Sequence, residues 1–184
     1  MENITLIGLT GKKGSGKDTL GNYMVSHYGF NRIAFADPIK IICKELFGFN
    51  EDQLNGNLKE KIDEYWNVTP RFTFQKLGDI MRDNGKKLVP ELDNNIFVEC
   101  IKKKIIDLRQ NNPNIKIVVT DVRFENELKL IKDLGGIIIK IDRNIETNDT
   151  HQSETEMERF IPDIIFSNNG NFENLYEQFN LSFV

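Results

Sequence analysis

Residues 4–19 read Ile-Thr-Leu-Ile-Gly-Leu-Thr-Gly-Lys-Lys-Gly-Ser-Gly-Lys-Asp-Thr. An apolar, β-branched run leads into a glycine, four further residues and then Gly16-Lys17, which predicts a strand, a phosphate-binding loop and the start of a helix. Glycines allow the backbone to approach a ligand closely. The loop amides and the positive end of the helix then attract a polyphosphate. The predicted nucleotide-binding residues are Gly11, Lys13, Gly14, Ser15, Gly16, Lys17, Asp18 and Thr19.

Two residues of this loop have more specific predicted roles. Lys17 is expected to reach the β- and γ-phosphates as a point charge. Asp18 stands where the pattern has Ser or Thr, and the hydroxyl follows one residue later at Thr19. A carboxylate holds Mg²⁺ directly or through water, so Asp18 is a candidate metal ligand. The alternative, an ordinary glycine-rich turn after an edge strand, accounts for the glycines but not for their spacing to Lys17.

Composition indicates a single intracellular domain. The chain has 184 residues, of which 39% are hydrophobic and 28% charged, and a net charge of −4. That charge gives no electrostatic reason to bind nucleic acid or an anionic membrane. No apolar run approaches the roughly 18 residues of a membrane span, and the N-terminus leads directly into the first strand, without a signal peptide. Cys43 and Cys100 are expected to be small buried hydrophobes outside any disulfide framework.

Strands and helices alternate along the chain, which predicts an α/β fold with a mainly parallel sheet. Residues 50–70 are polar and are predicted to form an irregular or short-helical insertion. Parallel sheets bind ligands beyond the carboxyl ends of their strands, so residues that follow the strands are the candidates for a site. The predicted strands are the run before Gly11 and residues 32–35, 115–120, 137–141 and 163–166; the predicted helices are 17–27, 37–48, 70–84, 94–109, 125–134 and 172–179.

Asp121 and Arg123 follow the most apolar of these strands, residues 115–120. A carboxylate at this position is typical of a Walker B residue that holds magnesium or a magnesium-bound water, although Asp121 is equally placed to cap the next helix. Arg123 is two residues further on, so both side chains point the same way if the segment is extended. A guanidinium suits a pair of phosphoryl oxygens. The alternative for Arg123 is a surface ion pair with Glu125 or Glu127.

Other candidates follow the second and last strands. Asp37 and Lys40 come after the second strand, where Asp37 has the position of a helix cap beside a proline. Asn168 and Gly170 follow the last strand and are predicted to border the adenine of ATP through backbone contacts. A plain turn is the alternative interpretation of these two residues.

The helix predicted over residues 70–84 carries two arginines and a glutamine. Arg71 and Arg82 are eleven residues apart, or about three turns, which places them on the same helix face. Two arginines on one face can clamp a dianionic monophosphate, or they can be solvated charges. Gln75 is a candidate for a hydrogen bond to a base. Trp66 and Phe72 are candidates for stacking on it, with burial in the core as the alternative.

Four patterns, taken in order, resemble those of the P-loop deoxynucleoside monophosphate kinases of bacteriophages and large viruses. They are the loop at 11–19, Phe-Ala-Asp-Pro-Ile-Lys at 35–40, Thr-Asp-Val-Arg-Phe-Glu-Asn-Glu at 120–127 and His-Gln-Ser-Glu at 151–154. The segment Gln75–Arg82 resembles a fifth family pattern less completely. The resemblance implies a three-layer nucleoside monophosphate kinase fold with a five-stranded, mainly parallel sheet. It also implies one kinase domain over 1–184, with a helical substrate-binding region at about 37–110 and a lid at about 143–158.

The same resemblance implies roles for individual residues. Catalysis is expected to involve Lys17, Asp121, Arg123 and Arg143, with Asp18 and Asp121 as metal ligands. Arg143 is expected to contact ATP or the transferring group, and His151 and Glu154 to orient substrate from the lid. The implied substrate-binding residues are Asp37, Lys40, Trp66, Arg71, Gln75, Arg82, Phe124, His151 and Glu154.

The resulting hypothesis is an enzyme that moves the γ-phosphoryl group of ATP, with Mg²⁺, to a deoxynucleoside monophosphate. One alternative keeps the fold but changes the acceptor, as in phosphomevalonate kinase or dephospho-coenzyme A kinase. The other is a regulatory switch or nucleotide-binding module without turnover. A switch of the GTPase kind should carry an Asn-Lys-x-Asp guanine motif, which is absent from the sequence. The expected partners are small-molecule nucleotides. Binding to a membrane or to nucleic acid is not expected, and the formation of a homodimer is left open. The expected location is cytoplasmic, in the host cytoplasm for a viral protein.

Overall fold

The centre of the fold is a five-stranded parallel sheet with the order β2-β3-β1-β4-β5. The computed structural model describes residues 4–92, 95–145 and 156–183. All five residues of the central strand β1 are buried. Continuous apolar strands are typical of a parallel sheet covered on both faces. The predicted α/β class and five-stranded sheet are therefore confirmed. The strands are β1 (Leu6–Thr10), β2 (Asn31–Ile33), β3 (Ile117–Val119), β4 (Ile137–Asp142) and β5 (Ile164–Ser167).

Helices account for most of the remaining described residues. Short 3₁₀ turns at Asn57–Glu60 and Glu156–Arg159 separate some of them. Within the described part of the chain, no helix has both the length and the apolar character needed to cross a membrane. The helices are α1 (Lys17–Tyr28), α2 (Asp37–Phe47), α3 (Glu51–Leu54), α4 (Pro70–Asp83), α5 (Gly85–Leu88), α6 (Ile96–Asn111), α7 (Glu125–Asp133) and α8 (Phe172–Phe183).

The sheet carries helices on both faces, which gives the three layers. Ile7 and Leu9 of β1 belong to a buried cluster that includes residues of α1 and α8. Gly8 between them points to the opposite face, because alternate strand residues do so. A Cβ placed on Gly8 would lie 3.3 Å from Ile131 Cγ1 of α7. Helices α1 and α8 therefore cover one face, and α7 covers the other.

The chain divides into two compact units. The first consists of Met1–Phe35 with Ile101–Val184 and contains the sheet. The second is Ala36–Cys100 and is helical. The helical region expected at 37–110 is thus longer than the second unit by about ten residues, because the boundary falls within α6.

Two local predictions are wrong. Cys100 is exposed, whereas Cys43 is buried as predicted, and both thiols are free. Burial raises the pKa of the Cys43 thiol to about 11. Asp37 is not the cap of α2: Ala36 has the cap position, with φ −78° and ψ −11°, so Asp37 is already the first helical residue. Pro38 in the first turn makes this start favourable, since its fixed φ suits a helix and its missing N–H is not needed there.

Candidate active site

The loop between β1 and α1 has the backbone geometry of a phosphate-binding loop. Gly11 has φ +138°, and a Cβ at this position would lie 2.4 Å from the Ile141 carbonyl oxygen of β4. Gly16 has φ +108° and caps α1. Only glycine tolerates both the positive φ and the close approach. The loop therefore bends against the end of β4 and leads directly into α1.

The side chain of Lys17 lies within this loop. It is 7% exposed, and its Nζ donates to the carbonyl oxygens of Gly11 at 2.6 Å and Lys12 at 2.7 Å. The ammonium group is thus held at the mouth of the loop by main-chain oxygens. The contact with the β- and γ-phosphates that is expected of Lys17 stays a prediction.

Asn168 supports the loop from the end of β5. Its side chain is 1% exposed and donates from Nδ2 to the Ser15 carbonyl oxygen at 2.7 Å. Its main-chain N–H donates to the Asp142 carbonyl oxygen at 2.8 Å. Asn168 therefore connects β4, β5 and the loop. The adenine contacts predicted for Asn168 and Gly170 stay predictions.

Unpartnered polar atoms cluster around the same loop. Within the described part of the chain, the buried side-chain oxygens without a hydrogen-bond partner belong to Thr10, Ser15, Thr120 and Asn168. Thr10 precedes the loop, Ser15 is in it and Asn168 contacts it. Thr120 approaches α1, since a Cβ on Gly21 would lie 2.6 Å from Thr120 Cγ2. Native proteins satisfy such groups with ligand or water, so this cluster fits a site for a polar ligand.

Asp121 follows β3, and its neighbourhood is tied to β1 and to the end of β2. The following residue, Val122, donates its N–H to the Leu9 carbonyl oxygen of β1 at 3.1 Å. Asp121 Oδ1 accepts a hydrogen bond from the Phe35 N–H at 2.7 Å. Its Walker B role stays a prediction. The alternative, that Asp121 caps the next helix, is wrong, because the cap position of α7 is Phe124.

Glu127 is a functional candidate that the sequence reasoning missed. Its buried carboxylate, 2% exposed, accepts hydrogen bonds from the N–H groups of Arg123 at 2.8 Å and Phe124 at 3.2 Å. A glutamate three residues after the cap that reaches back to the cap amide is a known capping pattern, so the signal was present. Glu127 fixes the turn that carries Asp121 and Arg123. The phosphate-binding role of Arg123 and the substrate role of Phe124 stay predictions.

Arg143, at the end of β4, reaches the loop from another direction. Its Nη1 donates to the Gly14 carbonyl oxygen at 3.0 Å, and the side chain is otherwise exposed. A cavity of about 200 Å³ opens here, and its lining includes Gly11, Lys12, Lys140, Asp142, Arg143 and Met157. The basic groups give this edge a positive character suited to phosphates. His151 and Glu154 lie outside the described residues, so their predicted roles cannot be placed.

The oxygen donors near the loop suit magnesium only in combination with phosphates. Asp18 is exposed, whereas Thr19 and Asp121 are half-buried. Among residues 4–92, 95–145 and 156–183, no three His, Cys, Asp or Glu side chains form a group that could hold a metal ion. Mg²⁺ usually takes one or two carboxylates and completes its shell with phosphate oxygens and water. The donor set fits that arrangement, with Asp18 and Asp121 as the candidate ligands.

The Ala36–Cys100 unit contains most of the residues that are candidates for binding the acceptor. Lys40 Nζ donates to Asn55 Oδ1 at 2.7 Å. Arg71 forms an ion pair with Glu60. Arg82 lies over the ring of Phe97, with 5.0 Å between Cζ and the ring centroid. Both arginines are on α4, as predicted, and so is the half-buried Gln75. Their binding roles stay predictions, as does that of Asp37.

Trp66 is presented by a loop that is organised around Asp63. The Asp63 carboxylate accepts hydrogen bonds from the N–H groups of Tyr65 and Trp66, each at 3.0 Å, and from Gln53 Nε2 at 2.7 Å. The Trp66 amide and the Gln53 side chain hold the pKa of Asp63 below its ordinary value. The Trp66 indole donates from Nε1 to the Phe47 carbonyl oxygen at 2.8 Å and is 40% exposed. Trp66 is therefore anchored at one edge, and its base-stacking role stays a prediction.

Comparisons with known proteins agree with this geometry. A family model described as deoxynucleotide monophosphate kinase matches residues 44–179. A provisionally named deoxynucleotide monophosphate kinase of Acanthamoeba polyphaga mimivirus is 42% identical over 181 residues, which cover 95% of this chain and 94% of the relative. The deoxynucleotide monophosphate kinase of Enterobacteria phage T4 is 22% identical, with 95% of this chain and 97% of the relative covered.

Among solved structures, the dephospho-CoA kinase from Campylobacter jejuni is similar in fold. It has a TM-score of 0.51 and 20% identity, and the match covers 97% of this chain and 95% of that one. At this identity the similarity concerns the fold alone. The sequence matches carry the assignment further: the chain belongs to the deoxynucleotide monophosphate kinase family and is a phosphotransferase of the nucleoside monophosphate kinase type.

Proposed function

We propose that the protein transfers the γ-phosphoryl group of ATP to a deoxynucleoside 5′-monophosphate, giving a deoxynucleoside diphosphate and ADP. The observation that carries the proposal is the loop at 11–19, with Lys17 held at its mouth in a member of this kinase family. Transfer between two phosphates requires positioning and charge stabilisation rather than covalent chemistry by side chains. The residues proposed below supply those two requirements.

The donor site is proposed to consist of the loop and the strand ends beside it. Loop amides and Lys17 bind the triphosphate, and Lys17 exchanges its contacts with the Gly11 and Lys12 carbonyl oxygens for phosphate oxygens. Arg123 and Arg143 stabilise charge that develops on the transferred group. Mg²⁺ held by Asp18 and Asp121 would supply further neutralisation of the phosphates. Asn168 and Gly170 border the nucleotide on the β5 side.

The acceptor is proposed to bind residues of the Ala36–Cys100 unit. Arg82 suits a dianionic monophosphate, because a guanidinium presents paired N–H donors to phosphate oxygens. Asp37 and Lys40 are proposed to contact the acceptor phosphate or its ion shell. Trp66 and Gln75 are proposed to contact the base, by stacking and by a hydrogen bond. In addition, Arg71, Phe124, His151 and Glu154 are proposed to contribute to substrate binding.

An acceptor panel tests the proposal. The purified protein, ATP and Mg²⁺ are incubated with each deoxy- and ribonucleoside 5′-monophosphate and, separately, with phosphomevalonate and dephospho-coenzyme A. Turnover of one or more deoxynucleoside monophosphates, with ADP formed in equal amount, is the expected result. Turnover of phosphomevalonate or dephospho-coenzyme A alone would assign the protein to another small-molecule kinase. Tight ATP binding without any turnover would favour a nucleotide-binding module.

A further inference from the structure

We infer that Phe97 and Gly78 are positioning residues for Arg82. They restrict the orientation of its guanidinium group, which then binds the acceptor phosphate. The inference rests on the proposed function, since it takes Arg82 as the arginine that binds the monophosphate. It concerns two residues without any polar side-chain atom. All three belong to the Ala36–Cys100 unit.

The first contact is between Arg82 and an aromatic face. The guanidinium carbon lies 5.0 Å from the centroid of the Phe97 ring, and Phe97 is 3% exposed. A ring buried to this degree has a fixed orientation because close-packed neighbours surround it. It therefore provides a rigid platform under a long side chain.

The second feature is the space that Gly78 leaves beside Arg82 on the same helix. Gly78 is buried and lies one helical turn before Arg82. Helical side chains lean back over the preceding turn, so the arginine extends toward Gly78. A Cβ on Gly78 would lie 3.1 Å from Arg82 Nη1 and 3.2 Å from Ile39 Cδ1 of α2. A side chain at position 78 would therefore press on the guanidinium, which would have to shift by a few tenths of an ångström.

This arrangement suits anion binding, because stacking and hydrogen bonding use different parts of a guanidinium. The guanidinium carbon lies over the Phe97 ring, and a guanidinium that stacks on a ring keeps all five N–H donors in its own plane. Stacking therefore restricts the orientation of Arg82 without using any donor needed for a phosphate. Binding then requires less ordering of the side chain, which improves affinity.

The residue types are those that this role demands. Glycine inside a helix normally destabilises it relative to alanine, so Gly78 is explained by the space it leaves rather than by helix formation. Leucine is also apolar and often buried, but it offers no π face to a cation.

The test measures monophosphate binding directly by isothermal titration calorimetry, with dAMP, dCMP, dGMP and dTMP as the probes. Phe97→Leu and Gly78→Ala are each expected to weaken binding of the preferred monophosphate by at least about fivefold. The dissociation constant for ATP is expected to stay within about twofold of the wild-type value. Gly78→Ala is expected to unfold at the same temperature as wild type or higher, which separates positioning from loss of structure.

Two further variants serve as controls. Phe30→Leu removes another buried ring that has a cation over it, since Lys116 Nζ lies 5.8 Å from the Phe30 centroid in the other unit; it should leave monophosphate binding unchanged. Gly78→Ala combined with Ile39→Val removes the other atom that the new methyl group meets. If displacement of the guanidinium is the cause, the double variant still binds the monophosphate weakly.

A double-mutant cycle decides whether the effect passes through Arg82. In an Arg82→Ala background, Phe97→Leu should produce no additional loss of binding. If Arg82→Ala weakens binding but Phe97→Leu and Gly78→Ala do not, the positioning role is rejected and the proposed function stands. If Arg82→Ala itself leaves binding of every probe unchanged, the acceptor role of Arg82 is rejected together with the inference. Recovery of full affinity in Gly78→Ala/Ile39→Val would also overturn it, because helix packing would then be the cause.

Discussion

Removing the side chain of Asn168 should weaken ATP binding without a comparable effect on the monophosphate. Asn168 is 1% exposed, and its Nδ2 lies 2.7 Å from the carbonyl oxygen of Ser15, which is also 1% exposed. In Asn168→Ala, that carbonyl group is left buried without its donor. The loop must then either keep this shape at a cost or relax into another one.

The magnitude follows from the lost contact. A buried polar group left without its partner costs about 1–3 kcal/mol. If ATP binds only the loop in its supported shape, the same free energy appears in the dissociation constant as a loss of about five- to 140-fold. For Asn168→Asp, the loss of ATP affinity should be at the upper end of this range or larger. It replaces the donor with an acceptor and adds a negative charge next to the site of a polyanion.

Calorimetric titration with ATP and thermal unfolding of the same samples provide the assay. Asn171→Ala is the matched control, because Asn171 Oδ1 accepts a hydrogen bond from the Asn174 N–H at the start of α8. Loss of this cap costs about 0.5–2 kcal/mol of stability, but it should leave ATP affinity unchanged. ATP binding by Asn168→Ala within twofold of wild type would refute the reasoning.

Four further outcomes are expected. Lys17→Ala should reduce phosphoryl transfer to below about 1% of wild type while cooperative unfolding persists, in a coupled assay and a thermal melt. Arg123→Ala should reduce transfer by at least about a hundredfold, since a donor that stabilises developing charge is removed. A chromogenic thiol reagent at pH 8 should label Cys100 rapidly and Cys43 only on unfolding, because burial raises the Cys43 pKa to about 11. Burial alone would raise the pKa of Asp163, but the Ile138 amide and Lys132 hold it below the ordinary 3.8. The wild-type protein should therefore be more stable than Asp163→Asn above pH 3.8, as measured by urea unfolding. This difference in stability is lost as the pH falls through the lowered pKa of Asp163 in the folded state.

Each of these outcomes has a result that contradicts it. Non-cooperative melting of Lys17→Ala would make that side chain structural rather than ligand-binding. Near-normal turnover by Arg123→Ala would remove that residue from the proposed transfer step. Rapid labelling that persists in Cys100→Ser would show that Cys43 is accessible. A stability difference at Asp163 that is as large at pH 3 as at pH 7 would mean that the carboxylate charge is not responsible.

The sheet could be predicted because its signal is local. The apolar run at 115–120 predicts a strand, and β3 spans Ile117–Val119 within it. The short helix α5 was missed, since four residues that begin with Gly85 show no periodicity. The prediction that Cys100 is buried is wrong. Cys100 is exposed although Ile96, four residues earlier on α6, and Ile101 beside it are both buried. Apolar neighbours along a helix therefore do not determine whether a residue between them is covered.

The candidate site also has one part that the sequence predicts and another that it does not. The loop and Asp121 have sequence signals, because spacing and position after a strand define them. The support that Asn168 gives to Ser15 joins residues far apart in the chain, and nothing in the local sequence indicates it. The ion pair of Arg71 with Glu60 is another such contact. Helix periodicity placed Arg71 and Arg82 on one face, but it could not show that each has its own neighbour.

The single tryptophan of the chain is Trp66, in the unit that does not contain the phosphate-binding loop. Excitation at the red edge of protein absorbance therefore selects one ring, and the sheet-containing unit contributes no indole emission. That ring is partly exposed to water, and its Nε1 is held by a hydrogen bond. Its emission spectrum should therefore change when a ligand binds next to it. Stopped-flow records of the unlabelled wild-type enzyme would then follow events at the helical unit separately from those at the sheet.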